Sequence, residues 1–140
     1  MAYDSDNVFA KILRGELPAH KVYEDADTLA FMDIMPRCDG HTLVIPKASV
    51  RNVFDASEAQ LAACMRTVKK VAVAAMKAFG ANGITLVQAN ESAGGQVVFH
   101  MHFHVMPRWD GQALGPPAAN MEKPEVLAAN ADKIREALGA

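Results

Sequence analysis

The 140-residue chain has little cysteine, few aromatic residues and no marked excess of either charge. Its two cysteines, Cys38 and Cys64, exclude a disulfide scaffold and any four-cysteine metal site, and both are expected to stay thiols. Fourteen Lys and Arg stand against sixteen Asp and Glu, a formal charge of −2, so the balance carries no nucleic-acid footprint. Apolar stretches such as Val71 to Met76 fall far short of the ~20 residues a membrane-spanning helix needs. Met1 to Asn7 is acidic and polar, the reverse of a signal peptide, so a cytoplasmic chain with no membrane contact is expected. A hydrophobic share of 51% excludes disorder, and the length suits one domain with its own core, over 1–140. What the chain does have is histidine: five in all, three of them between His100 and His104.

The surrounding pattern reads as α+β. Asp6 is expected to cap a short helix from Asn7 to Arg14, stopped by Gly15 and Pro18. Strands follow at Val22–Glu24 and Thr28–Asp33, joined by a polar turn, and at His41–Ile45, ended by Pro46. Ser57 and Gln60 form a capping box for a long helix to Phe79, with Gly80 as its left-handed stop. Leu61, Cys64, Met65, Val68, Val71, Ala72, Ala75, Met76 and Phe79 recur at helical spacing as its inner face. A strand from Ile84 to Ala89, a Gly-rich loop from Asn90 to Gly95 and a last strand from Val97 to Met106 come next. After a Pro-containing loop, Pro124 opens a helix to Leu138 with Leu127, Ala131, Ile134 and Leu138 inward. The strand spacing predicts a mainly antiparallel sheet with the long helix across one face.

Alternation along the last strand places Val97, Phe99, Met101, Phe103 and Val105 on an apolar core face. Val98, His100, His102, His104 and Met106 then share the opposite face, with imidazoles ~6.6–7 Å apart and one on each side of His102. Three readings follow: hydrogen-bonded surface histidines, a metal site built on adjacent imidazoles, or nucleophilic catalysis by the central ring. The third gains from Gly94-Gly95-Gln96, whose small residues admit a ligand to the backbone and whose amides suit a phosphate. His41, at the start of a strand, is a candidate for the same face.

Gly95-Gln96-Val97-Val98-Phe99-His100-Met101-His102-Phe103-His104-Val105-Met106 resembles the signature of the histidine triad (HIT) nucleotide-binding family. Blocks at Phe9–Pro18, Tyr23–Asp25, Leu29–Ile34 and Gly40–Lys47 resemble HIT blocks in the same order, so the likeness runs from about residue 7 to 108 and leaves 109–140 as a C-terminal loop and helix. The resemblance implies a HIT-like fold, a homodimer, a purine nucleotide substrate and no cofactor. It implies that His102 attacks the α-phosphorus to form a nucleotidyl-histidine that water hydrolyses, and that His104 binds the phosphate oxygens. It gives His100 and His41 a supporting proton relay. Asp33 would hold the ribose hydroxyls, Phe9 and Ile34 would flank the base, and Asn90, Gln96 and Val97 would lie at the ribose and phosphate.

Two departures matter. Many bacterial relatives hold a structural zinc with a Cys-x-x-Cys pair, a histidine after the Pro-Lys and the first triad histidine; here those positions read Asn7, Ala10, Ser49 and His100, so no metal is expected. Val97 stands where Hint-type phosphoramidases have serine and Fhit-type hydrolases threonine. Valine matches neither and leaves the subclass open; the leading expectation is a phosphoramidase-like nucleotide hydrolase, with a dinucleoside-polyphosphate hydrolase and a nucleotide-binding interaction protein as alternatives. His20 falls outside the motif, as a loop residue.

Overall fold

In the computed structural model, which describes residues 2–139, Asn7 rather than Asp6 opens the first helix, α1 (Val8–Leu13). The Asn7 side chain accepts the Ala10 amide at 2.9 Å, satisfying one orphan donor of the first turn. The chain continues through β1 (Lys21–Glu24), β2 (Thr28–Met32), β3 (Thr42–Pro46), the long helix α2 (Glu58–Phe79), β4 (Gly83–Val87), β5 (Phe103–Arg108) and α3 (Pro124–Gly139). Residues 1 and 140 of the span expected as one domain lie outside the described residues.

The strands form one antiparallel sheet in the order β1-β2-β3-β5-β4. Side-chain alternation splits its core in two. Ala30, Met32, Val44 and Val105 face α2 and α3, where they meet Val68, Val71, Leu127 and Ile134. Leu29, Phe31, Leu43 and Ile45 face the other way, under Phe9 of α1. Every residue of β2 and β3 is buried as a result. Each large aliphatic side chain so placed contributes about 1.5–3 kcal/mol. Leu43 lies opposite His104 in the β3–β5 register. His104 therefore belongs to the face that α1 covers, away from the two longer helices.

Helix α2 forms as its sequence predicts at both ends. The Ser57–Gln60 capping box is closed by reciprocal bonds of 3.1 and 2.8 Å, and Gly80 ends the helix at φ +56°. Its inner face differs from the expected one: Met65 is exposed, while Ala63, Thr67 and Ala74 are buried. Met65 sits ~100° around the helix from Cys64, enough to leave the contact face. Thr67 enters that face because its hydroxyl pairs with that of Thr28 at 2.6 Å.

The largest correction concerns the histidine segment. Strand β5 begins at Phe103 rather than Val97, and residues 97–102 make no ladder. On β3, Pro46 has no N–H to offer, and its carbonyl accepts the His100 ring at 2.8 Å. Both backbone groups that would extend the pairing are thus removed. Val97, expected in the core, is 81% exposed, whereas Met101 and Val105 are fully buried.

Candidate active site

A nucleophilic imidazole needs an unprotonated nitrogen facing its target. His102 is 8% exposed, and its Nδ1 lies 2.7 Å from the main-chain carbonyl of His100. A carbonyl only accepts, so Nδ1 carries the proton and Nε2 keeps its lone pair. Burial holds the His102 pKa below its ordinary value, and the bond to His100 opposes that shift only in part. Both effects together favour the neutral ring, with the Nε2 lone pair available. It packs between His104 and Phe9, each with its ring centroid 5.0 Å away. The expected second flanking imidazole is absent from that position: the His100 ring turns toward Pro46 and Tyr3 and meets His102 through its carbonyl.

A second chain of bonds fixes His104. The Arg37 N–H donates to His41 Nδ1 at 3.0 Å, so the proton of neutral His41 sits on Nε2. That Nε2–H donates to His104 Nδ1 at 2.8 Å, which leaves His104 with its proton on Nε2 as a donor to the site. His41 thus serves His104, whereas the resemblance had paired it with His100 beside the nucleophile. Gly40, at φ +82°, makes room for this strand start, because a Cβ there would lie 2.6 Å from the Phe79 ring. Asp33 approaches His41 Nε2 at 3.4 Å and accepts the Met35 amide at 2.8 Å. The contact with His41 does not join two charges: burial, with His104 and Arg37 nearby, lowers the His41 pKa to about 3. Burial likewise lowers His104 to about 4 and raises the Asp33 carboxyl.

These shifts predict a pH dependence of stability. Both histidines have depressed pKa values in the fold, so the unfolded chain binds more protons below its ordinary value near 6.5. Their contribution is complete above about pH 6.5 and drains as pH falls toward about 4 for His104 and about 3 for His41. The melting temperature of wild type is expected to fall over that range more steeply than that of His41→Gln. Equal slopes would contradict the assignment.

The remaining expected residues divide by their partners. Phe9 touches both Phe31 and His102, so it is core and site wall together. Ile34 is 47% exposed, an apolar side chain open to a ligand. Asn90 is committed inside the protein, accepting from Val53 N and Gln88 and donating to Gln88. Gln96 is saturated, accepting from Asn52 and the Glu91 amide and donating to the Arg51 and Val98 carbonyls. Both shape the loop: a nucleotide contact from Gln96 requires giving up one of these bonds, whereas the second Nδ2–H of Asn90 has no acceptor among the described residues. The amides of Val97, Val98 and Phe99 donate to no described residue, which leaves backbone donors beside the histidines. His20 lies apart from the group, with its carbonyl accepting the Met32 amide.

Several contributors carry no sequence signal. Glu91 is held at φ +63°, an uncommon conformation for a side-chain-bearing residue, by two 2.8 Å bonds to Arg51. The C-terminal loop reaches the site too: Gly115 exchanges bonds with Arg37, and the Glu122 amide donates to the Ile34 carbonyl. Among the described residues, Asp33, His41 and His104 bring potential metal ligands within 4.8 Å of one another. Those atoms already serve each other through the bonds above. The zinc set of relatives does not fit here. Asn7 caps α1, Ala10 and Ser49 offer no suitable ligand, and both His100 ring nitrogens are taken.

The HIT domain family matches residues 14–111. The chain belongs to the HIT family. The crystal structure of a Hit-like protein from Bartonella henselae superimposes on this HIT protein with a TM-score of 0.91 and 50% identity, covering 97% of this chain and 99% of that one. Protein hit of Bacillus subtilis is 40% identical over 86% of each chain. Adenosine 5′-monophosphoramidase hnt1 of Schizosaccharomyces pombe is 36% identical, over 86% of this HIT protein and 90% of its own length. The α+β fold expected from the sequence is thus the HIT fold.

Proposed function

We propose that this HIT protein is a hydrolase that cleaves at the α-phosphate of a purine nucleoside 5′-phosphoramidate or a similar nucleotidyl conjugate. The observation that carries this reading is the bond from His102 Nδ1 to the His100 carbonyl, which leaves the Nε2 lone pair free to attack. His102 Nε2 forms a bond to phosphorus as the bond to the leaving amine breaks, and the amine departs with a proton from water. A water molecule then attacks the nucleotidyl-histidine, releasing nucleoside monophosphate and restoring His102. The His104 Nε2–H and the amides near Val97 meet the charge on the phosphate oxygens, which is the main demand of this transition state. Asp33 takes the ribose hydroxyls, while Phe9 and Ile34 border the base. His100 and His41 act through the rings they orient.

The likeness to hnt1, named an adenosine 5′-monophosphoramidase, supports this choice of leaving group. Val97 supplies no hydroxyl, so help to that group from this position comes from its backbone amide. The deciding experiment offers the purified protein adenosine 5′-phosphoramidate and a diadenosine polyphosphate side by side. The reading predicts the larger kcat/KM for the phosphoramidate. Preference for the dinucleotide would make it a dinucleoside-polyphosphate hydrolase, and binding of AMP without turnover of either would make it a binding protein.

We further propose a homodimer paired through β4, a sheet edge that exposes Leu86 and Val87. Light scattering is expected to give twice the chain mass; a monomer at working concentrations would contradict this. Among the described residues no helix is long and apolar enough to cross a membrane, and both thiols are free, in line with the proposed cytoplasmic setting.

A further inference from the structure

Residues 2–6 have no regular structure, and all are exposed but one. The exception is Tyr3. Its hydroxyl lies 2.6 Å from His100 Nδ1, and its ring meets the His100 imidazole edge-on at 5.6 Å. His100 has no exposed surface, and its Nε2 faces the Pro46 carbonyl, so that nitrogen carries the proton and Nδ1 is an acceptor. The Tyr3 O–H is therefore the donor. Further bonds tie down this N-terminal segment: Arg51 to the Ala2 carbonyl at 3.3 Å, the Asn7 side chain to the Asp4 carbonyl at 2.8 Å and Arg14 to the Ser5 carbonyl at 2.8 Å.

The absence of a strand over residues 97–102 gives this contact its weight. The carbonyl that orients His102 belongs to a segment without ladder bonds. What holds that carbonyl in place is the Met101 amide on Val50 and the two ends of the His100 ring. We infer that Tyr3 is a positioning residue for the reaction: by pinning His100 from the N-terminal segment, its hydroxyl fixes the carbonyl that sets the His102 tautomer. The inference rests on His102 being the nucleophile, and its test has one arm that needs no substrate.

Tyr3→Phe keeps the ring and removes the hydrogen bond. In the substrate-free protein, ¹⁵N spectra of the histidines are expected to show His102 of wild type in a single Nδ1–H form and His102 of Tyr3→Phe as a mixture of tautomers. With substrate, kcat is expected to fall about 10-fold with KM nearly unchanged, the size of effect typical when a supporting hydrogen bond behind a reactive group is lost. A Tyr3→Phe protein whose His102 spectrum matches wild type would overturn the inference, whether or not its melting temperature has dropped. Failure of the nucleophile assignment shows elsewhere, as turnover surviving in His102→Ala. The two outcomes are thus separable.

Discussion

His102→Ala is expected to lower turnover of a nucleoside phosphoramidate by about 10⁴-fold or more while nucleoside monophosphate binding stays within about threefold of wild type. The asymmetry follows from where the ring sits. Its Nδ1 is spent on the His100 carbonyl, so in the proposed mechanism its share of the chemistry lies in Nε2 and a bond from there to phosphorus. In the proposed binding mode, ribose, base and phosphate contacts fall to Asp33, Ile34, Phe9, His104 and backbone amides, none of which the substitution removes. Phe9 loses a neighbour at 5.0 Å, which accounts for the small change allowed in binding. His102→Gly with added imidazole tests whether only the ring was missing. Recovery of part of the rate is expected, because the freed space suits the same heterocycle.

The second large effect concerns His104 and His41. His104→Ala is expected to lower kcat by about 10²–10³-fold, the typical result of removing one donor to the charge of a transition state. His41→Ala removes the group that sets the His104 tautomer and leaves the Arg37 amide and His104 Nδ1 without their partners. Its rate loss should approach that of His104→Ala. Because the two rings form one chain of bonds, the double variant should be little worse than His104→Ala alone. Multiplying losses would mean that His41 acts independently, as in the relay beside the nucleophile that the resemblance implied. The double-mutant cycle therefore decides which histidine His41 serves.

The sequence was most informative where local chemistry governs the outcome. Helix α2 has its capping box, its apolar stripe and its terminal glycine within the element itself; the cap and the glycine appear as expected, and the stripe appears in part, without Met65. The histidine cluster was legible as a site for a similar reason, since residue type and spacing both point to chemistry. The geometry of that cluster was not. Apolar alternation through Val97, Phe99 and Met101 is a strand pattern, but Pro46 on the neighbouring strand and the His100 ring remove the pairing. That competition comes from residues far apart in the chain. The groups that set the tautomers of His41, His100 and His102 are main-chain ones, the Arg37 N–H and the Pro46 and His100 carbonyls, and a backbone group leaves no mark in a residue pattern. Gln96 shows the converse case. Its type and place suggest a ligand contact, yet all its hydrogen bonds are spent holding the loop. Tyr3 passed unnoticed because its partner lies 97 residues away.

The central claim is a covalent bond between His102 Nε2 and the α-phosphorus. Its most direct measurement is mass spectrometry of enzyme mixed with adenosine 5′-phosphoramidate and quenched at alkaline pH, where a phosphorus–imidazole bond survives. The account predicts an added adenylyl group on the peptide containing His102, absent from His102→Ala and transient in wild type. Full turnover with no adduct at any quench time, or an adduct on another residue, would contradict it.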